Sequence, residues 1–66
     1  GVYREPVCIL KITDSEGNLV IINRRHFVSL AEIRGNTIVK TTAGIHSTQE
    51  DIYAVKAKIQ RATVDD

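Results

Sequence analysis

Cys8 is the only thiol in this chain of 66 residues, so it is the first side chain to consider for nucleophilic chemistry. A reactive cysteine needs nearby positive charge and partial exposure, because the thiolate is the nucleophile. Cys8 instead alternates with Leu10 and Ile12, which places all three on one face of a strand. We therefore predict that Cys8 is a buried, unreactive thiol of the core.

The two histidines and the nearest pair of acids do not suggest a metal or catalytic site. His26 and His46 are twenty residues apart, with no Cys or carboxylate cluster to join them, whereas a zinc site needs about three or four ligands. Asp14 and Glu16 belong to a turn rather than a cleft. The four glycines stand singly, so no phosphate-binding loop is present. The sequence predicts no enzyme activity, metal, cofactor or small-molecule substrate.

Arg24, Arg25 and His26 form the one local cluster of basic side chains. With Arg34 and Lys40 they are the candidate polyanion contacts, because Arg and Lys bind phosphate groups. Sheets that bind RNA interleave such residues with aromatic side chains, and only one aromatic residue is adjacent here. The net charge of +1 is too small for a basic nucleic-acid arm. We interpret the cluster first as a solvated corner and second as a nucleic-acid contact.

The elements that must position these side chains are mostly strands. Val, Ile and Thr account for 22 residues, and β-branched side chains suit a pleated sheet. No apolar run approaches the roughly 18 residues of a membrane span. The N-terminus lacks the basic start and apolar stretch of a secretory signal. We therefore expect a cytoplasmic protein with no membrane partner.

Apolar runs and turn residues predict four strands and a short fifth. Residues 27–34 fit either a strand or a short helix, and the strand is favoured because Gly35 and Asn36 form a turn before another clear strand. The first two strands are expected to pair as an antiparallel hairpin. The predicted strands are residues 7–13, 19–22, 27–34, 37–42 and 45–46.

Residues 49–62 are predicted to form an amphipathic helix. Ser47 with Glu50, or Thr48 with Asp51, has the spacing of a capping box at its start. The apolar side chains recur at intervals of three and four residues. They form one stripe of Ile52, Val55, Ile59 and Ala62.

The predicted fold class is α+β, a small antiparallel β-meander or partly closed SH3-like barrel of four or five strands with one C-terminal amphipathic helix. The sheet and the helix each need an apolar surface to cover. We expect one domain over residues 1–66, with a loose lead-in at 1–5, the meander at 7–46, the helix at 49–62 and a frayed end at 63–66. The residues predicted for the core or an interface are Cys8, Leu10, Ile12, Val20, Ile22, Ile38, Ile52, Val55 and Ile59.

The order of these motifs resembles the small flagellar FlbD-like proteins. In that family the first strand ends in Thr and a Gly-containing turn, the second ends near Asn, and a Thr-rich β-branched strand precedes the final segment and helix. The resemblance spans about residues 9–59 and implies the same fold and a flagellar role. It is carried by Ile12-Thr13-Asp14-Ser15-Glu16-Gly17, Ile21-Ile22-Asn23 and Thr37-Ile38-Val39-Lys40-Thr41-Thr42-Ala43-Gly44.

The layout is also similar to the carbon-storage-regulator family of RNA-binding dimers. The similar parts are residues 13–17, the turn at Gly35 and the segment Glu50-Asp51-Ile52-Tyr53. This resemblance implies a dimer with interlocked strands that binds RNA through basic residues. Gly17-Asn18 stands where that family has Gly-Glu, so no RNA-contact residue is carried over.

Two functions follow as expectations. The first is a non-catalytic protein-interaction or assembly module that associates with itself or docks on a larger partner. The second is a small nucleic-acid-binding regulator that uses the basic corner. We favour the first, as a homodimer, because so short a chain has little core. Residues 19–22 are also apolar at successive positions, so both faces of that strand need cover.

Overall fold

The computed structural model describes residues 8–62, which form five strands and one α-helix. A 3₁₀ turn at Arg24–His26 joins the second strand to the third. The predicted lead-in, the start of the first strand at Val7 and the frayed end at residues 63–66 lie outside the described residues. The elements are β1 (Ile9–Thr13), β2 (Leu19–Asn23), β3 (Phe27–Ile33), β4 (Asn36–Thr41), β5 (Gly44–Thr48) and α1 (Ile52–Arg61).

The strands pair antiparallel in two separate sheets. One sheet is the β1-β2 hairpin, and the other has the order β3-β4-β5. The predicted α+β fold with a C-terminal helix is therefore confirmed, and residues 27–34 supply a strand rather than a helix. The two sheets do not close into a barrel within residues 8–62.

The turn between β1 and β2 is held by the side chain of Asp14. Its Oδ1 accepts hydrogen bonds from the backbone N–H groups of Glu16 at 2.9 Å and Asn18 at 2.8 Å. Gly17 has φ +85°, a conformation that glycine adopts without a steric clash. These local contacts set the hairpin register, in which Thr13 lies opposite Leu19.

A β-bulge at the start of β3 decides which of its side chains face the core. Phe27 lies opposite Thr41, but Ser29 lies opposite Lys40, so the register shifts between the two pairs. A bulge adds one residue to one strand and changes the phase of its alternation. Phe27 and Leu30 consequently both pack against the core, although strict alternation would place them on opposite faces.

Strand β4 buries its threonines and one valine on the inner face of the three-stranded sheet. Thr37, Val39 and Thr41 are buried, whereas Ile38 points to the other face and is half-buried. The core at this strand is therefore Val39, which the prediction omitted, and not Ile38. Asn36 and Lys40 share the face of Ile38, and these polar side chains were the sequence signal that this face points outward.

Helix α1 begins three residues later than predicted because β5 continues to Thr48 and residues 49–51 form the link to the helix. Ser47 and Thr48 pair with β4, which extends β5 beyond the predicted residues 45–46. The predicted capping boxes are therefore wrong. Asp51 is the N-cap instead, and its side chain accepts a hydrogen bond from the N–H of Tyr53 at 2.9 Å.

One apolar core lies between the two sheets and the helix. Val55 and Ile59 face it, as the predicted stripe requires, while Ile52 is half-buried and lies outside the buried cluster. Val20 is partly buried and packs against the cluster together with Phe27 and Leu30. The cluster consists of Leu10, Ile12, Ile22, Val39, Val55, Ile59 and Ala62.

Substitution of Ile59 tests whether this core holds the helix in place. Ile59→Ala should lower the free energy of unfolding by about 2–5 kcal/mol, because it removes buried methyl groups and leaves a cavity. Ile59→Val should cost about 0.5–1.5 kcal/mol. Urea unfolding monitored by circular dichroism measures both.

The matched control is Tyr53→Ala on the same helix, where the side chain is 75% exposed. It should change the free energy of unfolding by less than about 0.5 kcal/mol. Equal losses for the Ile59 and Tyr53 variants would show that the helix is not held by its apolar stripe.

Candidate interaction surfaces

Glu50, in the link between β5 and α1, forms hydrogen bonds to four elements. Its Oε2 accepts from the backbone N–H of Thr13 at 2.7 Å, and its Oε1 accepts from Lys58 Nζ at 2.5 Å. Its backbone carbonyl accepts from Thr37 Oγ1 at 2.6 Å, and its N–H donates to Thr48 Oγ1 at 3.1 Å. One residue thereby joins the hairpin, the three-stranded sheet and the helix.

The charge of Glu50 is favoured in the folded chain. Burial acts to raise the pKa of its carboxyl group. The hydrogen bonds from Lys58 and Thr13, and the positive charge of Lys58, act in the other direction, and the net pKa lies below the ordinary value. The ionised form is therefore the one that this network stabilises.

The outer edge of β1 is partly covered by side chains from other elements. Lys58 Nζ donates to the carbonyl oxygen of Lys11 at 2.8 Å, and Thr48 Oγ1 donates to that of Thr13 at 2.5 Å. A further backbone bond runs from Ser15 N–H to the Ser47 carbonyl at 2.9 Å. The C-terminal half of this edge is thus closed by contacts within the molecule.

A groove of about 410 Å³ lies beside the N-terminal half of β1. The last turn of α1 forms its other wall. Its lining is mainly apolar and includes three cationic side chains. The lining residues are Ile9, Leu10, Lys11, Lys58, Arg61 and Ala62.

An aliphatic stripe crosses the outer face of the three-stranded sheet. We define this outer stripe as Ile33 on β3, Ile38 on β4 and Ile45 on β5. Ile38 lies opposite Ala31, so these two and Ile33 share a face, and Ile45 joins the same face through its partner on β4. Ile33 is 54% exposed and Ile45 is 65% exposed. No other element of residues 8–62 covers this face.

The outer face of the hairpin also carries exposed aliphatic side chains. Leu19 is 65% exposed and Ile21 is 55% exposed, and Ile9 lies diagonally across from Ile21. Lys11 lies directly opposite Ile21 and places a charge within this face. Val20, by contrast, is turned toward the core.

The five candidate polyanion contacts do not form one patch. Arg24, Arg25 and His26 lie in the 3₁₀ turn, and Lys40 lies nearby because its partner Ser29 is close to the start of β3. Arg34 follows the other end of β3, and seven residues at about 3.3 Å each separate it from the 3₁₀ turn by roughly 23 Å.

Within the basic cluster, two side chains are engaged by the protein itself. The Arg24 guanidinium lies over the Phe27 ring, 5.4 Å from its centre. Its Nε is buried without a hydrogen-bond partner among the described residues. His26 Nδ1 forms a 2.9 Å hydrogen bond with Thr42 Oγ1. Arg25 is exposed.

The residues first considered for chemistry are dispersed. Cys8 is half-buried rather than buried, because it lies just before β1, and its carbonyl accepts from the N–H of Arg24 at 2.7 Å. His26 and His46 lie in different elements, the 3₁₀ turn and β5. Among residues 8–62, no three His, Cys, Asp or Glu side chains are grouped to hold a metal ion.

Glu50, Lys58 and Arg61 help to form these surfaces, and the sequence motifs do not mark them for such a role. The capping-box spacing places Glu50 at the start of the helix, and no motif singles out the two cations. Lys58 and Arg61 are three residues apart, so they lie on one side of α1, and this spacing was the available signal. The contact of Glu50 with a strand 37 positions earlier has no local signal.

Comparisons with protein-family models, curated proteins and solved structures found no match. Within the described part of the chain, no helix has the length and apolar character needed to cross a membrane.

Replacement of Glu50 should reduce the acid sensitivity of the fold. Because the folded-state pKa is lowered, the ionised carboxylate contributes stability above its unfolded pKa, near 4.5, and this contribution is lost as pH falls through the folded value. Glu50→Gln should lower the free energy of unfolding by about 1 kcal/mol at pH 7. The difference from the parent chain should shrink at pH values below 4.5.

Urea unfolding at a series of pH values measures this difference, with Glu32→Gln as the control. Glu32 is an exposed acid on β3, and its replacement should change the free energy by less than about 0.5 kcal/mol. Some acid sensitivity should remain in Glu50→Gln, because the hydrogen bond from the Asn18 N–H also lowers the pKa of Asp14. If the difference in the free energy of unfolding between Glu50→Gln and the parent chain stays constant from pH 7 to the lowest pH measured, the ionised carboxylate of Glu50 does not stabilise the fold.

Proposed function

We propose that this protein is a non-catalytic interaction module that forms a homodimer through the outer stripe of its three-stranded sheet. The supporting observation is the exposure of Ile33 and Ile45 on either side of Ile38, on a face that no described element covers. A contiguous apolar patch is uncommon on a monomer and usually marks an interface. A dimer also enlarges the small core of a short chain.

The outer stripe has the geometry that a two-fold contact needs. It runs diagonally over three strands, with Ile33 and Ile45 each displaced by two residues along the sheet from Ile38. At about 3.3 Å per residue and about 4.8 Å per strand, the stripe is roughly 16 Å long. A two-fold axis near Ile38 brings Ile33 of one copy against Ile45 of the other.

Small and flexible side chains around the stripe permit close approach. Ala31 and Ser47 flank Ile38 on the neighbouring strands, and neither projects beyond it. Lys40 lies beside Ile45, and a lysine on a flexible stem keeps its ammonium group in water while its methylenes contact an apolar surface. The face therefore suits a sheet-to-sheet contact.

The resemblance to FlbD-like proteins supports a role in assembly rather than catalysis. A cytoplasmic location is supported by the single free cysteine, Cys8, since reducing compartments do not require cysteines to pair.

The alternative is a nucleic-acid-binding regulator that uses the basic corner. It is supported by the proximity of Lys40 to Arg24, Arg25 and His26, and it is weakened by the distance to Arg34. Binding of a single-stranded oligonucleotide that falls steeply with salt, and that is lost in Arg25→Ala but kept in Arg34→Ala, would support this alternative.

Sedimentation over a wide concentration range tests the dimer. The parent chain has a mass of 7.3 kDa, and we expect a species of twice that mass at high micromolar concentration. Ile45→Lys should weaken association at least about tenfold, because it places a second charge beside Lys40 at the contact. Leu19→Lys is the matched control, since both side chains are 65% exposed on strands, and it should leave the dimer unchanged.

Two results would contradict the proposal. A 7.3 kDa species that persists at high micromolar concentration would refute the dimer itself. Dissociation by Leu19→Lys but not by Ile45→Lys would place the contact on the hairpin and refute the outer stripe as the interface.

A further inference from the structure

The open half of the β1 edge lies in the groove formed with the last turn of α1. Thr13 directs its N–H and its carbonyl away from β2, as their bonds to Glu50 and Thr48 show. The Lys11 carbonyl also points away from β2, toward Lys58. Backbone groups in an antiparallel pair alternate in direction, so those of Ile9 point the same way.

Among residues 8–62, part of the β1 edge has hydrogen-bonding groups without a partner. The bonds among the described residues satisfy both outward groups of Thr13 and the carbonyl of Lys11. They provide no partner for the outward N–H of Lys11 or for either outward group of Ile9. The available stretch from Ile9 to Lys11 is about 7 Å long at 3.3 Å per residue, which matches a short extended segment.

The groove beside this stretch can take an aliphatic side chain. Leu10 and Ala62 are both almost fully buried and present an apolar floor, and Ile9 adds a partly exposed wall. The volume of about 410 Å³ is within the range of protein binding pockets. Strand addition uses the same combination, with backbone bonds for affinity and a pocket for alternate side chains.

The positive charge of the groove favours an acidic partner. Three lining residues are cationic, Lys11, Lys58 and Arg61, and none is acidic. Glu50 neutralises Lys58, with side chains that are 24% and 31% exposed respectively. Lys11 and Arg61 remain as the charges available to a ligand, because no ion pair among residues 8–62 engages either side chain.

We propose that the groove binds an extended acidic segment of a partner protein, which adds to the edge of β1 as a further strand. One aliphatic side chain of the segment lies over Leu10 and Ala62, and its carboxylates lie near Lys11 and Arg61. The Lys58 contact with the Lys11 carbonyl limits the added strand to a few residues. The inference deepens the proposed interaction role but uses a surface separate from the outer stripe.

The test uses the capped peptide acetyl-Glu-Ile-Glu-Val-Glu-amide with the full chain. The probes are amide chemical shifts in nuclear magnetic resonance, and affinity is measured by titration. The shifts of Ile9 and Lys11 should move with saturation, and exchange of the Lys11 amide should slow. The corresponding Gln peptide should bind at least about fivefold more weakly, which is about 1 kcal/mol. A peptide with N-methylated backbone should bind more weakly, because it cannot donate to the Ile9 carbonyl and its methyl groups hinder close approach to the edge.

Charge variants of the protein locate the site. Arg61→Gln and Lys11→Gln should each weaken the acidic peptide about fivefold and bring its affinity close to that of the Gln peptide. Lys40→Gln removes one cation from a different surface. The affinity of this variant for the acidic peptide should stay within about twofold of that of the parent chain. Equal affinity for the acidic and Gln peptides, or no shift at Ile9 and Lys11 at millimolar peptide, would overturn the proposal.

Two further measurements distinguish other occupants. The double variant Asp65→Asn, Asp66→Asn should not change peptide affinity. An increase would identify the acidic end of this chain as the occupant and overturn the proposal of a partner. Peptide binding should persist in Ile45→Lys, so failure of the dimer and failure of the groove give different results. Loss of binding in that variant would show that a second copy is needed to form the site, and it would overturn the proposal of a groove that is separate from the outer stripe.

Discussion

Glu50, through its ionised carboxylate and its backbone, is the residue that reaches the most elements of the fold, and this matters because the two small sheets of residues 8–62 share no ladder. It acts beside the shared apolar core and the bonds of Thr48 to Thr13 and of Ser15 to Ser47. Its side chain binds the N–H of Thr13 on the hairpin and Lys58 on the helix, and its backbone binds Thr37 and Thr48 in the larger sheet. Apolar contacts stabilise the core but are non-directional. These hydrogen bonds, in contrast, fix how the hairpin, the three-stranded sheet and the helix are placed relative to one another.

Because the two sheets and the helix pack together, each sheet has an inner face in the core and an outer face toward solvent. The inner faces contribute to one core around Val39 and Val55, and threonines at its margin use their hydroxyl groups to bind backbone atoms rather than water. The outer faces keep aliphatic side chains such as Ile21 and Ile45 in contact with solvent. The described part of the chain has one helix for two sheets, so the helix and the inner faces cover one another, and the outer faces stay exposed among these residues.

Local patterns in the sequence predicted most of the elements. The alternation of Leu10 with Ile12 and the spacing of Val55 and Ile59 identified a strand face and a helix face, and both are buried. The orientation of β4 was available in the sequence but was missed, since Asn36 and Lys40 share the face of Ile38 and favour exposure of that face. Another feature could not be read locally. The bulge after Phe27 arises from pairing with β4 and has no single-residue signature.

The candidate surfaces were harder to predict than the fold, since they depend on contacts between distant segments. Glu50 reaches a strand 37 residues away, and the groove requires β1 and the end of α1 to be adjacent.

The side chains that cover the edge of β1 also affect the tendency of the chain to aggregate. An exposed strand edge is a template for pairing with other chains. Lys58 belongs to α1, so detachment of this helix alone uncovers the Lys11 carbonyl and removes the ammonium group that pairs with Glu50. Resistance to fibre formation is therefore expected to follow the local stability of helix docking as well as the global stability of the chain.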